Sequence, residues 1–396
     1  MSLQTLTNGF SKRSTILILL NIQFEYKTKD LVIPSSSDNS TRLEFKCGFK
    51  AMSNNDEAPV AMGLFEKYLT FWILSFMALG LLVGWLFPTF AITLASLQFA
   101  GFSIPIAICL FFMMFPTLIN IEYREIKNAV KFPKPLIITL VANWIVNPIL
   151  GFVLASTILA ANPQYVFGII LLAVSPCTAM VLFWNKYAKG NINLGLVITS
   201  INSILILFLY APLASFFIGF YVPVPFITLL VGTMFFLVLP LITGILTKRY
   251  IYKTKGQEWF VGSFKPILDK IAIFALLLTL VVLFSFQGQV ILTQPLNVLW
   301  ISSVLLLNYV IMFTSVFLIC YKVGFTYKQT VTATIIASSS HFEIAIATAI
   351  LLFGPGSAAA FATVIGVLWE VPLMVAFIKL ALRLQPKLWK NLTPVH

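Results

Sequence analysis

From residue 67 onward the chain alternates between apolar runs of about 18 residues or more and short polar connections. Each run is long enough to cross a hydrocarbon core of ~30 Å. None alternates with period two, so the pattern predicts membrane helices rather than barrel strands. Ten spans can be placed, at about 68–87, 102–121, 134–159, 164–185, 193–219, 226–247, 267–287, 298–321, 330–353 and 357–384. Residues 1–66 break the pattern: they are rich in Ser, Asn, Thr and Lys. Their one apolar run, TILILL at 15–20, is too short for a span and is followed by no small-residue cleavage pattern. The expectation is a poorly ordered cytoplasmic tail, with Met52 or Met62 as candidate starts, Met62 lying directly before the first span.

Composition agrees. Of 396 residues, 59% are apolar and only 10% charged, which indicates a polytopic membrane protein. A net charge of +13 would suit a nucleic-acid partner, but the apolar content argues against one. The placement of that charge is more informative. All 26 Lys and Arg fall before span 1, after the even-numbered spans, or at the chain end; the odd-numbered connections hold none. By the positive-inside rule both termini are then cytoplasmic. Ten spans make two sets of five, and because five is odd, repeats of that size must be inverted relative to one another. The expected fold is an all-α polytopic membrane protein of ten transmembrane helices in two inverted five-helix repeats, 67–222 and 223–396, the second ending in a short cytoplasmic tail. Faint echoes support the repeat: span 3 reads NWIV from Asn143 and span 8 reads NYVI from Asn308.

Two spans carry polar residues at mid-length. Span 4 holds Ser175, Pro176, Cys177 and Thr178; span 9 holds Ser338, Ser339, Ser340, His341 and Glu343. Proline breaks the helix ladder, and hydroxyls in lipid need partners. Corresponding spans of inverted repeats, both broken near the midplane, are where secondary transporters build their sites. The bland alternative is a pair of kinked helices whose hydroxyls bond back to their own carbonyls.

Glu343 is the sharpest signal. An ionisable group at mid-span costs ~2.5–3.5 kcal/mol on insertion scales. Every Lys and Arg lies in a tail, in a connection or at a span end, and His341, two positions away, belongs to a different face of a regular helix. Glu343 is then protonated, solvated in a cavity, or neutralised by a mobile cation; a structural carboxyl that stays protonated is the plain alternative. Glu370, with Pro372 nearby, either bonds neighbouring backbone or lines the same cavity. Asn143, Asn147 and Asn202 are mid-span amides suited to interhelical bonds, with direct solute contact open to Asn143 and Asn202. His341 is either a packing residue or part of the site. Cys177 is either a small filler or a soft ligand, whereas Cys109 and Cys320 sit in apolar runs as small hydrophobes. The GxxxG match GLLVG at 80–84 is too common in spans to carry meaning.

Three stretches resemble the arsenite efflux permeases, the arsenical-resistance family of the bile acid, arsenite and riboflavin transporter superfamily. They are SPCTAMVLFWNKYAKGN at 175–191, SSSHFEIAIATAILLFGPGSAAAFATVIGVLWEVPLM at 338–374 and KYLTFWILSFMALGLLVGWLFP at 67–88, and the likeness covers about 64–390. It implies broken helices 4 and 9 that cross at mid-membrane. It also implies arsenite, and in some members antimonite, moved out across the cell (plasma) membrane. Cys177 takes the place of the family cysteine, which engages As(III), and Glu343 that of the family glutamate, which exchanges H+ in a proton antiport. Pro176, Ser175, Ser340, His341, Asn143, Asn202 and Glu370 would support or couple that site. No cofactor and no metal are implied. Where the family more often carries asparagine before the glutamate, this chain reads Ser339, Ser340, His341.

Two other functions compete. One is a Na+-coupled symporter of a bile-acid-like organic anion, against which the absence of an intramembrane Lys or Arg weighs. The other, from a different class, is a membrane enzyme or receptor; two His residues and no nucleophile or metal constellation argue against it.

Overall fold

The computed structural model describes residues 68–99, 102–119, 132–178 and 180–389, apart from the side chain of Leu69. The expected tail at 1–66 and the basic residues Arg124, Lys127 and Lys131 lie outside these residues. Helix α1 (Leu69–Leu86) ends at Phe87, where Pro88 opens α2 (Pro88–Ser96) and the axis turns by 100°. A two-residue hairpin, Gln98–Phe99 with Phe102–Ser103, leads into α3 (Ile104–Ile119). Helix α4 (Pro133–Val141) passes through a π turn, Ala142–Val146, into α5 (Asn147–Ile158). Next come α6 (Pro163–Ala173), α7 (Val181–Tyr187) and α8 (Ile192–Gly219). Helix α9 (Phe226–Thr254), the short α10 (Gly256–Trp259) and a second π turn, Phe260–Phe264, lead to α11 (Lys265–Thr293). The chain closes with α12 (Pro295–Lys322), α13 (Tyr327–Ala337), α14 (Phe342–Phe353) and α15 (Ala358–Leu388).

Local chemistry sets the helix starts. Proline occupies the first turn of α2, α4, α6 and α12, where its missing N–H loses no bond. Asn191 caps α8 by accepting from Leu194 N at 3.0 Å, Thr326 and Gln329 form a capping box on α13, and Ser357 caps α15.

Six segments are long and apolar enough to cross a bilayer: 133–158, 192–219, 226–254, 256–293, 295–322 and 358–388; the bent α1–α2 pair makes a seventh. The chain is an all-α, multi-pass membrane protein. The shorter apolar helices α3, α6 and α14 fall within the expected spans at 102–121, 164–185 and 330–353. Spans 4 and 9 fall short of full length because each is cut in two. Large apolar side chains such as Phe71, Phe208, Phe274 and Leu299 are exposed, as suits a surface solvated by acyl chains.

The helices pack in two groups. In one, α11 lies along α1 and α3, and α9 lies along α3. In the other, the broken-span halves α6, α13 and α14 pack with α5, α12 and α15, and α8 and α4 lie against α13. GLLVG does have a role here. A Cβ on Gly80 would lie 2.8 Å from Phe284 Cβ, and one on Gly84 would strike the Ser285 carbonyl, so the motif lets α1 lie backbone-close on α11.

Candidate functional site

The first break follows directly from Pro176. Its ring removes an N–H and steers Ser175 away from helical geometry, so α6 stops at Ala173. Ser175 Oγ lies within hydrogen-bond distance of the last-turn carbonyls of Leu171 (2.9 Å) and Leu172 (3.0 Å). The second break has no proline. Helix α13 stops at Ala337, Ser338 Oγ bonds back to Thr334 O at 2.8 Å, and α14 begins only at Phe342. Three serines in a row favour such local bonds over the ladder.

Backbone left unpaired in a bilayer must find a partner, and the two breaks find each other. Pro176 and Ser340 form an isolated antiparallel bridge: Cys177 N–H donates to Ser339 O at 3.1 Å, and His341 N–H donates to Ser175 O at 2.6 Å. Spans 4 and 9 therefore meet where their helices are interrupted. Ser175, Pro176, Cys177, Ser339, Ser340 and His341 converge at one point, all buried.

Glu370 reaches in from α15. Its Oε1 accepts from Ser339 Oγ at 2.6 Å and from Ser340 N at 3.1 Å, while Tyr309 Oη donates to Oε2 at 3.4 Å. Glu370 thus bonds a backbone amide of the second break, 30 positions away in the chain.

Glu343 sits in the first turn of α14, where the helix dipole favours a negative charge. His341 corrects the expectation of a regular helix. It precedes the first helical residue, with φ −89° and ψ 74°, and its ring turns toward the acid instead of away. Nδ1 lies 2.8 Å from Glu343 Oε2, although the pair lacks hydrogen-bond alignment. The Cys177 thiol neighbours the Ser339 hydroxyl and lies within electrostatic reach of Glu370 and Glu343.

The amides form a supporting layer. Asn147, just past the π turn, donates to Ala173 O, the last carbonyl of α6, at 2.9 Å and accepts from Asn308 Nδ2 at 2.9 Å. Trp144 Nε1 donates to Asn202 Oδ1 at 3.0 Å, which ties the π turn to α8. Among the described residues, Asn143 Nδ2 and Asn202 Nδ2 are buried without a hydrogen-bond partner, and Asn202 accepts from Trp144. π turns recur at functional sites because they redirect side chains. Sequence reasoning did not single out Tyr309 or Trp144. Tyr309 could have been found from its place beside Asn308 in the NYVI echo.

Residues 107–294 match the Sodium Bile acid symporter family. An uncharacterized transporter of Synechocystis sp. is 40% identical over 339 residues, covering 81% of this chain and 88% of that protein. Arsenical-resistance protein Acr3 of Alkaliphilus metalliredigens is 37% identical, covering 81% and 93%, and Acr3 of Corynebacterium glutamicum is 32% identical, covering 84% and 93%.

Proposed function

The chain belongs to the arsenite efflux (arsenical-resistance) permease family, and from that premise we propose that it exports arsenite, with antimonite as a related substrate, by proton antiport. Its coarser activity is that of a secondary transporter of a small molecule, not an enzyme. The observation that carries the finer reading is the bridge between the two breaks, which joins the backbone of Cys177 to the segment that leads into the buried carboxyl Glu343.

Arsenous acid is neutral at physiological pH, so no fixed cation is needed to admit it. Cys177 sulfur replaces one arsenic-bound hydroxyl and releases water; hydrolysis of that single S–As bond frees the solute on the other side. A lone thiol holds As(III) reversibly where three would trap it. Glu343 takes a proton from outside and gives it up inside, so each turnover is coupled to the proton gradient. The distribution of Lys and Arg supports ten spans as two inverted five-helix repeats, 67–222 and 223–396, in the plasma membrane with both termini cytoplasmic.

Inverted membrane vesicles test this directly. They should accumulate As(III), and collapse of the proton gradient, but not of the Na+ gradient, should stop them. The match to the Sodium Bile acid symporter family favours a second reading, Na+-coupled symport of a bile-acid-like organic anion. Accumulation of taurocholate and not arsenite would select it.

A further inference from the structure

His341 is fully buried, yet neither of its ring nitrogens has a hydrogen-bond partner among the described residues. A histidine serving only to pack would satisfy at least one of them, because an orphaned polar atom away from water is expensive. The atom 2.8 Å from its Nδ1, Glu343 Oε2, is orphaned too. We propose that His341 relays protons to and from Glu343, so that the proton-carrying unit is an imidazole–carboxyl pair rather than a lone acid. The proposal rests on the reading of Glu343 as the proton carrier.

The chemistry is simple to balance. A proton binds at Nε2, which makes the ring an imidazolium; the Nδ1 proton then passes to Glu343 Oε2. This leaves a neutral ring protonated at Nε2 and a neutral carboxylic acid. One proton has moved, no electrons have, and the ring resets by exchanging tautomers. The missing alignment at 2.8 Å means that a small ring rotation makes or breaks the proton bridge. The gain is electrostatic. With the exchangeable proton bound, the pair is neutral whether the proton sits on the ring or on the carboxyl; once the proton is released the pair carries −1, as a lone glutamate would. What the ring adds is a second site for the proton, and an imidazolium held there lies directly against the carboxylate instead of leaving it unpaired.

The surroundings leave His341 as the fitting partner. The titratable groups that face the pair are Glu370 from α15, with Tyr309 of α12 behind it, and the Cys177 thiol from the first break. Among the described residues no Lys or Arg pairs with either member. The backbone holds the ring independently of its chemistry: His341 N–H donates to Ser175 O, and His341 O accepts from Ala345 N at 3.3 Å. A substituted side chain keeps both bonds.

The chain has two histidines, so His396→Gln leaves one ring to observe. Full-length protein carrying that change, labelled with 15N-histidine in lipid vesicles without arsenite, should give an Nδ1 proton resonance shifted downfield by sharing with a carboxyl. Glu343→Gln should abolish that shift; identical ring spectra in the two proteins would overturn the relay. In transport, His341→Gln should cut proton-driven As(III) uptake by about tenfold or more and change the shape of its pH profile. A profile superimposable on that of the unsubstituted protein would also overturn the relay. The two readings fail separately. A shared-proton resonance in vesicles that never accumulate As(III) supports the pair and defeats arsenite export. Active transport without the resonance does the reverse.

Discussion

In span 4 a proline interrupts the helix, and between Pro163 and Tyr187 there is no acid, only the thiol of Cys177. In span 9 no proline is needed: three serines loosen the ladder, and the break ends on His341 and Glu343. The two interruptions have similar lead-in helices, of 11 residues each, and they pair backbone to backbone. Their chemistry is nonetheless divided. The thiol lies on one side of the bridge and the imidazole and carboxyl on the other, while Glu370, from a third helix, bonds the serine side. Solute binding and ion coupling should therefore be separable by mutation.

The largest expected effect tests the thiol side. Cys177→Ser should reduce As(III) export to background while the protein still inserts, measured as uptake into inverted vesicles alongside membrane abundance; normal export would remove sulfur from the mechanism. On the other side, Glu343→Gln should flatten the dependence of transport on the pH gradient and leave at most downhill flux. Persistence of the full pH response would assign the proton to another group. A smaller effect tests the clasp. Glu370→Ala leaves the Ser340 N–H and the Ser339 hydroxyl without their acceptor, at about 1–3 kcal/mol for a buried donor, read as a lower melting midpoint in detergent. The smallest should come from Asn308→Ala, which removes one interhelical amide bond worth about 0.6–1.7 kcal/mol. If Asn308→Ala destabilised the protein more than Glu370→Ala, the clasp would be less important than the contact between α12 and α5.

The spans were legible because a bilayer dictates run length, and every described helix of membrane length coincides with a predicted apolar run. Both breaks were legible for a related reason: Ser175–Thr178 and Ser338–Glu343 put polarity where lipid tolerates none. What could not be read was how the broken ends are oriented. Whether His341 faces Glu343 depends on α14 beginning at Phe342 rather than a few residues earlier, and helix starts are uncertain by about that much from sequence. Glu370 posed a similar problem, since its partners Ser339 and Tyr309 are 31 and 61 positions away. GLLVG stitches α1 to α11, a role its sequence alone does not reveal, because the facing Ser285 carbonyl and Gly288 cannot be inferred from one helix. The 100° bend at Phe87 and the hairpin after it were missed, since Pro88 alone does not tell a span end from a turn.

The sulfur of Cys177 belongs to a residue only 3% exposed, and Cys109 and Cys320 are likewise buried. A maleimide applied to the sealed transporter thus meets no open thiol along these helices. Position 177 becomes a target only when its surroundings open, so the alkylation rate there acts as a stopwatch on opening. A solute that bonds the sulfur should shield it, so slowed labelling reports an occupied site before a single molecule has been counted across the bilayer.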